Sequence, residues 1–149
     1  GANIALACDL TVARHSATFI QAFSKIGLIP DSGGTWMLPR LVGMQRAAAL
    51  AFFGDKLTAT EAKEMGLIYR VVEDEAFEDV VSALSQTLSE MPTRGIGLTK
   101  KAFNLGWDQG LSDHLTTERD LQMEASQTRD YSEGVAAFLE KRKPTFTGQ

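Results

Sequence analysis

The chain has 149 residues, of which 44% are hydrophobic and 23% are charged. This composition is typical of a globular domain and excludes a disordered or fibrous chain. With 15 basic and 19 acidic side chains, the formal net charge of −4 argues against a broad nucleic-acid-binding surface. The single cysteine, Cys8, excludes an internal disulfide, and its apolar neighbours predict a buried thiol.

The ends of the chain and its hydropathy suggest a cellular setting. No run approaches the roughly 20 apolar residues of a transmembrane helix, and no secretory signal pattern is present. We therefore expect a cytoplasmic protein without a membrane partner. Gly1 opens directly into an apolar segment, whereas most domains start with a polar tail. We expect the chain to be the C-terminal portion of a longer protein.

Short strands and helices alternate in the first part of the chain. The predicted elements are a helix over 1–8, strands over 9–13 and 17–20, a turn-rich loop over 25–35, and helices over 36–42 and 44–53. Pro39 should disturb the first of those two later helices. Thr58 and Glu61 match a capping box for a further short helix, which Gly66 can end.

The second part is predicted to be mainly helical. It has a strand over 67–72 and helices over 77–91, about 94–106 and 112–126. A last helix is predicted to begin at Asp130, which forms a candidate capping pair with Glu133, and to end before Pro144. No linker or repeat interrupts the chain. The sequence therefore predicts a mixed α/β protein with a helical C-terminal half.

Asp31 is the carboxylate with the most unusual setting. It lies between Pro30 and Ser32 in the turn-rich loop, among apolar residues. Turn chemistry alone favours a structural aspartate that closes a turn or caps a helix. The alternative is a general acid or base, because partial burial among apolar side chains would suit a carboxyl group to proton transfer.

No metal cluster is predicted, since His15 and His114 are isolated in the sequence. The basic run from Lys141 to Lys143 is typical of a solvated helix end. A phosphate contact is the alternative for that run.

Several segments, in an order and spacing that cover nearly the whole chain, resemble the crotonase (enoyl-CoA hydratase/isomerase) superfamily. They are 1–9 (GANIALACD), 17–19 (ATF), 27–35 (GLIPDSGGT), 57–67 (LTATEAKEMGL), 71–72 (VV) and 133–142 (EGVAAFLEKR). Residues 23–36 and 143–148 are most similar to the branch that isomerises 1,2-epoxyphenylacetyl-CoA in bacterial phenylacetate degradation. The resemblance implies the C-terminal part of a crotonase-like ββα spiral over 1–90. A helical region for trimerisation and CoA contact would follow over 91–149.

The resemblance also implies an acyl-CoA substrate whose thioester oxygen lies between two backbone N–H groups. Fixed donors of this kind stabilise the negative charge that develops on the oxygen during proton transfer. One donor would lie near Gly1, and the other would come from a segment outside these residues. We therefore expect the chain alone to be inactive. No cofactor is implied, because CoA is part of the substrate.

Family hydratases use two glutamates, and the matching positions here hold Asn3 and Phe23. Ordinary hydration is therefore not expected. Asp31 matches a third position, where family isomerases carry an acid, and the resemblance makes it the expected catalytic residue. Asn3, Phe23, Gly33 and Trp36 are the expected lining of the substrate pocket.

Relatives implied by the resemblance are trimers or dimers of trimers in which the last helix contacts a neighbouring subunit. Carried over, Phe138 and Lys141 would contact CoA bound to that neighbour. The predicted function is a proton-shuttling isomerase that converts 1,2-epoxyphenylacetyl-CoA to oxepin-CoA. The alternatives are a Δ3,Δ2-enoyl-CoA isomerase and a non-catalytic CoA-binding partner subunit of a hydratase.

Overall fold

Mixed helices and short strands make up the structure, a computed structural model that describes residues 1–149 and confirms the predicted α/β class. The helices are α1 (Ala2–Leu6), α2 (Gly34–Val42), α3 (Met44–Phe53), α4 (Ala59–Glu64), α5 (Phe77–Ser89), α6 (Thr93–Gly106), α7 (Leu111–Ser126) and α8 (Arg129–Glu140). The strands are β1 (Val12–Arg14), β2 (Thr18–Phe19), β3 (Leu57–Thr58) and β4 (Arg70–Val72). Two 3-10 segments cover Ala22–Ile26 and Asp74–Ala76.

The chain forms two compact units, residues 1–81 and 82–149. This division falls within α5, whereas the sequence placed the change of region after residue 90. The functional roles predicted for the two regions stay predictions. None of the helices combines the length and the apolar character needed to cross a membrane.

Two separate strand pairs organise the first unit. β1 runs parallel to β4, with Ala13 opposite Val71, and β2 runs antiparallel to β3, with Phe19 opposite Leu57. Helices α2, α3 and α4 bury their apolar faces beside these pairs. The buried core consists of Leu6, Ala13, Leu38, Val42, Ala47, Leu57, Ala59, Ala62, Leu67 and Ile68. Leu67 and Ile68 precede β4, so the strand is shorter than predicted.

The capping box of α4 is confirmed. The Thr58 hydroxyl accepts a hydrogen bond from the backbone N–H of Glu61 at 3.2 Å, and the Glu61 carboxylate accepts one from the Thr58 N–H at 2.9 Å. Hydrogen bonds from Thr58 hold the pKa of Glu61 below its ordinary value. This element is local in sequence, and local rules predict it well.

Pro39 does not disturb α2, and that prediction was wrong. The helix continues through Pro39 to Val42. Leu38 and Val42, which flank the proline, are both buried in the core. Burial of large aliphatic side chains contributes about 1.5–3 kcal/mol each, which offsets the roughly 3 kcal/mol cost of an interior proline.

Cys8 is exposed, so the prediction of a buried thiol was wrong. Helix α1 ends at Leu6 and directs Asn3 and Leu6 into the protein. Cys8 lies beyond the end of this helix and outside its buried face. Its thiol contacts the backbone carbonyl of Ile4 at 3.7 Å, and its apolar neighbours in sequence do not bury it.

In the second unit, the start of α8 also differs from prediction. Thr128 caps the helix by accepting a hydrogen bond from the Tyr131 N–H at 3.0 Å. The buried Asp130 instead accepts hydrogen bonds from the backbone N–H groups of Thr147 and Gly148 at 2.7 and 2.8 Å. The predicted capping pair was therefore wrong, because Asp130 binds the C-terminal segment.

Glu133 holds the same segment from one turn further along α8. Its two carboxylate oxygens accept from the Arg142 guanidinium at 2.6 and 2.8 Å, and one also accepts from the Thr145 N–H at 2.8 Å. These hydrogen bonds, chiefly those from Arg142, lower the pKa of Glu133 to about 2. Asp130 and Glu133 together fix residues 142–149 against α8.

The Glu133 interaction gives a pH-dependent contribution to stability. Because its folded-state pKa lies below the ordinary value of 4.5, the contribution is complete above about pH 4.5 and is lost as pH falls toward 2. We expect Glu133→Gln to be less stable than wild type at neutral pH and equal to it near pH 2. Urea unfolding at several pH values measures this, and Arg142→Met should show the same convergence. A difference between wild type and Glu133→Gln that is constant with pH would contradict the assignment.

Candidate active site

A cavity of about 280 Å³ lies in the first unit, beside the start of α1. Its walls come from α1, the segment after β2 and the turn before α2. The lining residues are Gly1, Ala2, Asn3, Ile20, Gln21, Ala22, Phe23, Ile26 and Asp31. Asp31 has the only ionisable side chain among them. The cavity is slightly smaller than typical small-molecule sites of roughly 300–1,000 Å³.

A tight turn carries Asp31. The Gly34 N–H donates to the Asp31 carbonyl at 2.7 Å, and α2 starts at Gly34. Inside the turn, Ser32 and Gly33 have φ values of 48° and 79°. Positive φ at both central positions is characteristic of a type I′ turn. It is unfavourable for Ser32 by about 1 kcal/mol or more, so neighbouring contacts must hold the turn.

The Asp31 side chain is exposed, which corrects the expectation of partial burial. Its neighbours in sequence do not shield it, because Ile26 and Ile29 are themselves 74% and 77% exposed. Asp31 nevertheless lies on the wall of the cavity rather than away from it. The carboxylate is therefore accessible both to solvent and to a molecule in the cavity.

Asn3 connects α1 to the Asp31 turn. Its side chain is 4% exposed, and its Nδ2 donates to the Asp31 carbonyl at 3.0 Å. Its Oδ1 accepts from the Nε2 of the buried Gln21 at 2.7 Å. Each polar atom of the Asn3 amide thus has a partner within the protein.

Gly34 is required by this arrangement. A β-carbon at residue 34 would lie 2.5 Å from the Nδ2 of Asn3 and 2.8 Å from its Cγ. Both distances are too short for non-bonded heavy atoms. Only glycine at this position leaves room for the Asn3 amide to reach the turn.

Four of the predicted site residues, Gly1, Asn3, Phe23 and Asp31, line one cavity. Phe23 lies half-buried in the 3-10 segment and forms an apolar wall with Ile26. Gly1 precedes α1 and lines the cavity, and its predicted role near an oxyanion donor stays a prediction.

Gly33 and Trp36 are not among the lining residues. Gly33 serves as the left-handed residue before α2. Trp36 is 46% exposed on α2, and the Arg40 guanidinium lies 3.2 Å above the centre of its ring. A role for either in substrate binding stays a prediction.

Gln21 is the polar residue of the cavity wall that the sequence did not predict. It is 4% exposed, and its Oε1 is buried without a hydrogen-bond partner. The available signal was a polar residue between Ile20 and Ala22, within an apolar stretch. That signal does not reveal the partner, because Asn3 is 18 residues away in sequence.

The two residues predicted to contact CoA lie in the second unit. Phe138 is 82% exposed on α8, and Lys141 ends that helix in a left-handed conformation with φ of 56°. Their predicted contact with CoA of a neighbouring subunit stays a prediction.

No group of three or more His, Cys, Asp or Glu side chains is arranged to hold a metal ion.

Comparison with known proteins decides the family. The model of the enoyl-CoA hydratase/isomerase family matches residues 1–149. The chain belongs to this family. A crystal structure of an enoyl-CoA hydratase from Bacillus anthracis superposes with a TM-score of 0.94 at 34% identity, covering 100% of the chain and 58% of that protein. The fold of this family member is therefore the crotonase fold.

Two curated relatives are more similar in sequence. The 1,2-epoxyphenylacetyl-CoA isomerase of Escherichia coli is 49% identical over the whole chain and 57% of its own length. A protein of Rhodobacter capsulatus, described as a probable enoyl-CoA hydratase, is 50% identical over the whole chain and 58% of its length. The chain thus spans somewhat more than half of each relative. The placement of the chain in the C-terminal portion of a longer protein stays a prediction.

The close approach of Gly34 to Asn3 can be tested by adding one methyl group. We expect Gly34→Ala to destabilise the protein by about 1–3 kcal/mol, because the β-carbon overpacks the Asn3 amide. The matched control is Gly97→Ala in α6, where the added β-carbon meets no atom within 4 Å. That control should be neutral or stabilising by up to about 1 kcal/mol. Equal unfolding free energies for Gly34→Ala and wild type would show that the Asn3 contact is not restrictive.

Proposed function

We propose that the intact protein is an isomerase of CoA thioesters and that Asp31 carries the transferred proton. The observation that supports this most is the composition of the cavity wall, where Asp31 has the only ionisable side chain. One carboxylate is sufficient to remove a proton and return it elsewhere. Adding water in the manner of family hydratases would require a second acid, and Asn3 and Phe23 occupy those positions.

The proposed reaction starts from a thioester whose acyl group lies in the cavity. The Asp31 carboxylate removes a proton next to the thioester carbonyl, and negative charge develops on the carbonyl oxygen. Backbone N–H groups, one of them near Gly1, would stabilise that charge. Asp31 then returns the proton at another carbon, so no atom is gained or lost. For an epoxide substrate, the proton transfers would accompany ring opening and rearrangement to the oxepin.

The proposed substrate is 1,2-epoxyphenylacetyl-CoA. Support comes from the 49% identity to the Escherichia coli isomerase and from the aromatic and aliphatic wall that Phe23 and Ile26 provide. A Δ3,Δ2-enoyl-CoA isomerase is the second candidate, because the same single acid could move a double bond. A non-catalytic CoA-binding partner of a hydratase is the third, since the hydratase acids are missing.

We further propose that the intact protein is a trimer or a dimer of trimers. Large apolar side chains are exposed on α7 and α8, including Leu111 at 75%, Phe138 at 82% and Leu139 at 74%. Apolar surface of this extent commonly marks a protein interface. Phe138 and Lys141 would then contact the CoA of a neighbouring subunit.

The role of Asp31 is tested by Asp31→Asn in the intact protein. We expect kcat for isomerisation to fall by about 10²-fold or more, because the amide cannot accept the proton. Binding of CoA thioester, measured by calorimetry, should be retained. The matched control is Asp55→Asn, an exposed aspartate outside the cavity. Undiminished turnover by Asp31→Asn would exclude Asp31 as the proton carrier.

The substrate class is tested by measuring wild-type turnover of three thioesters. We expect turnover of 1,2-epoxyphenylacetyl-CoA to exceed that of a straight-chain 3-enoyl-CoA, with no hydration of a 2-enoyl-CoA. Preference for the 3-enoyl-CoA would favour the second candidate. Binding of all three without turnover would favour the non-catalytic partner.

A further inference from the structure

We infer that Gln21 is a positioning residue for Asp31 and that it acts through Asn3. This inference rests on the proposed function, in which Asp31 carries the proton. Gln21 forms no hydrogen bond of its own to the Asp31 carboxylate or to the turn; its side chain donates to Asn3. The inference depends on the direction of two amide hydrogen bonds and on the conformation of the turn.

The direction of the amide hydrogen bonds is fixed by chemistry. The Asp31 carbonyl can only accept, so the Asn3 atom that faces it at 3.0 Å must be the Nδ2 donor. The Oδ1 of Asn3 then faces Gln21, which must supply its own Nε2 donor at 2.7 Å. The remaining Gln21 atom, Oε1, is left buried without a partner.

An unpartnered buried acceptor costs free energy that an apolar side chain of similar size would avoid. Methionine at position 21 would fill comparable space without that cost. Glutamine supplies what methionine lacks, a donor that satisfies the Oδ1 of Asn3 and fixes the rotation of its amide. Its contribution is therefore to hold the Asn3 donor toward the Asp31 carbonyl.

The Asp31 turn needs such support. Ser32 is one of two non-glycine residues in the chain with positive φ, and a residue in that conformation persists only where surrounding contacts hold it. The Asp31 carbonyl accepts two hydrogen bonds, from the Gly34 N–H within the turn and from Asn3 outside it. The Asn3 hydrogen bond alone connects the turn to a different helix.

The position of the carboxylate follows from the position of this backbone. The Asp31 side chain is exposed and makes no hydrogen bond or ion pair of its own, so its place at the cavity wall is set by the turn. Loss of the Gln21 donor should let the Asn3 amide rotate and the turn relax. The carboxylate would then remain present and ionisable but would be less well placed.

The first test compares Gln21→Met with the control Gln45→Met, an exposed glutamine on α3, in the intact protein. We expect Gln21→Met to lower kcat by about tenfold or more with KM changed by less than about threefold, because positioning affects the reacting geometry more than binding. Gln45→Met should match wild type. A Gln21→Met enzyme with wild-type kcat would overturn the inference.

A second variant, Gln21→Glu, separates positioning from packing. It keeps the size of the side chain, but only its protonated form can donate to the Oδ1 of Asn3. We expect the ratio of its kcat to that of wild type, per folded enzyme, to fall as pH rises. Asp31, the one ionisable side chain that lines the cavity, is present in both enzymes. A ratio that is constant with pH would overturn the inference.

A readout that needs no turnover distinguishes this inference from the proposed function. Amide hydrogen exchange at Gly34, whose N–H closes the turn, should be faster in Gln21→Met than in Gln45→Met. If wild type isomerises no thioester, the proposed function fails and the exchange result still reports on the turn. Unchanged exchange at Gly34 in Gln21→Met would refute the positioning role.

Discussion

The hydrogen bond from the Asn3 side chain to the Asp31 carbonyl is the interaction on which the site depends. It joins two segments that are 28 residues apart in sequence, the first helix and the turn before α2. Without this contact, nothing else would hold the backbone of Asp31 to α1 by a hydrogen bond. The absence of a side chain at Gly34 makes the approach possible, so one buried amide and one glycine together place the acid at the cavity.

The exposure of Asp31 is compatible with a role in proton transfer, although it differs from the expected burial. A proton carrier must reach the reacting carbon, and an acid on the wall of a cavity does so without being buried beforehand. Ile26, Leu28 and Ile29 precede the turn in sequence and are 60–77% exposed, so they offer apolar surface to an acyl group or to a neighbouring polypeptide. Either occupant would exclude water from the carboxylate. A drier setting would strengthen the electrostatic effects on which the proposed proton transfer relies.

The sequence predicted local features better than features that depend on distant contacts. The capping box of Thr58 and Glu61 needs only neighbouring residues, and it formed as predicted. Equally good local rules apply to Pro39 and Asp130, but distant contacts decided the outcome. Burial of Leu38 and Val42 keeps α2 continuous through Pro39, and Asp130 binds the C-terminal backbone instead of capping α8. The family resemblance identified Asp31, Asn3 and Phe23, which share one cavity. Gln21 was missed because its role is a contact with Asn3, and no pattern in a single sequence reports such a contact.

The geometry of Asn3 helps to distinguish an isomerase from a hydratase. Overall sequence identity does not distinguish them. The chain is about equally similar to a relative of each description, at 49% and 50% identity. A residue that holds water for addition to a double bond needs a free acceptor directed into the cavity. The Oδ1 of Asn3 accepts from Gln21 and its Nδ2 donates to Asp31, so two protein contacts hold this buried amide in place. Phe23 offers no polar atom at all. Asn3, at a position where a hydratase is expected to carry an acid, instead supports the turn of Asp31. This favours the proposed transfer of a proton within the substrate over the addition of water.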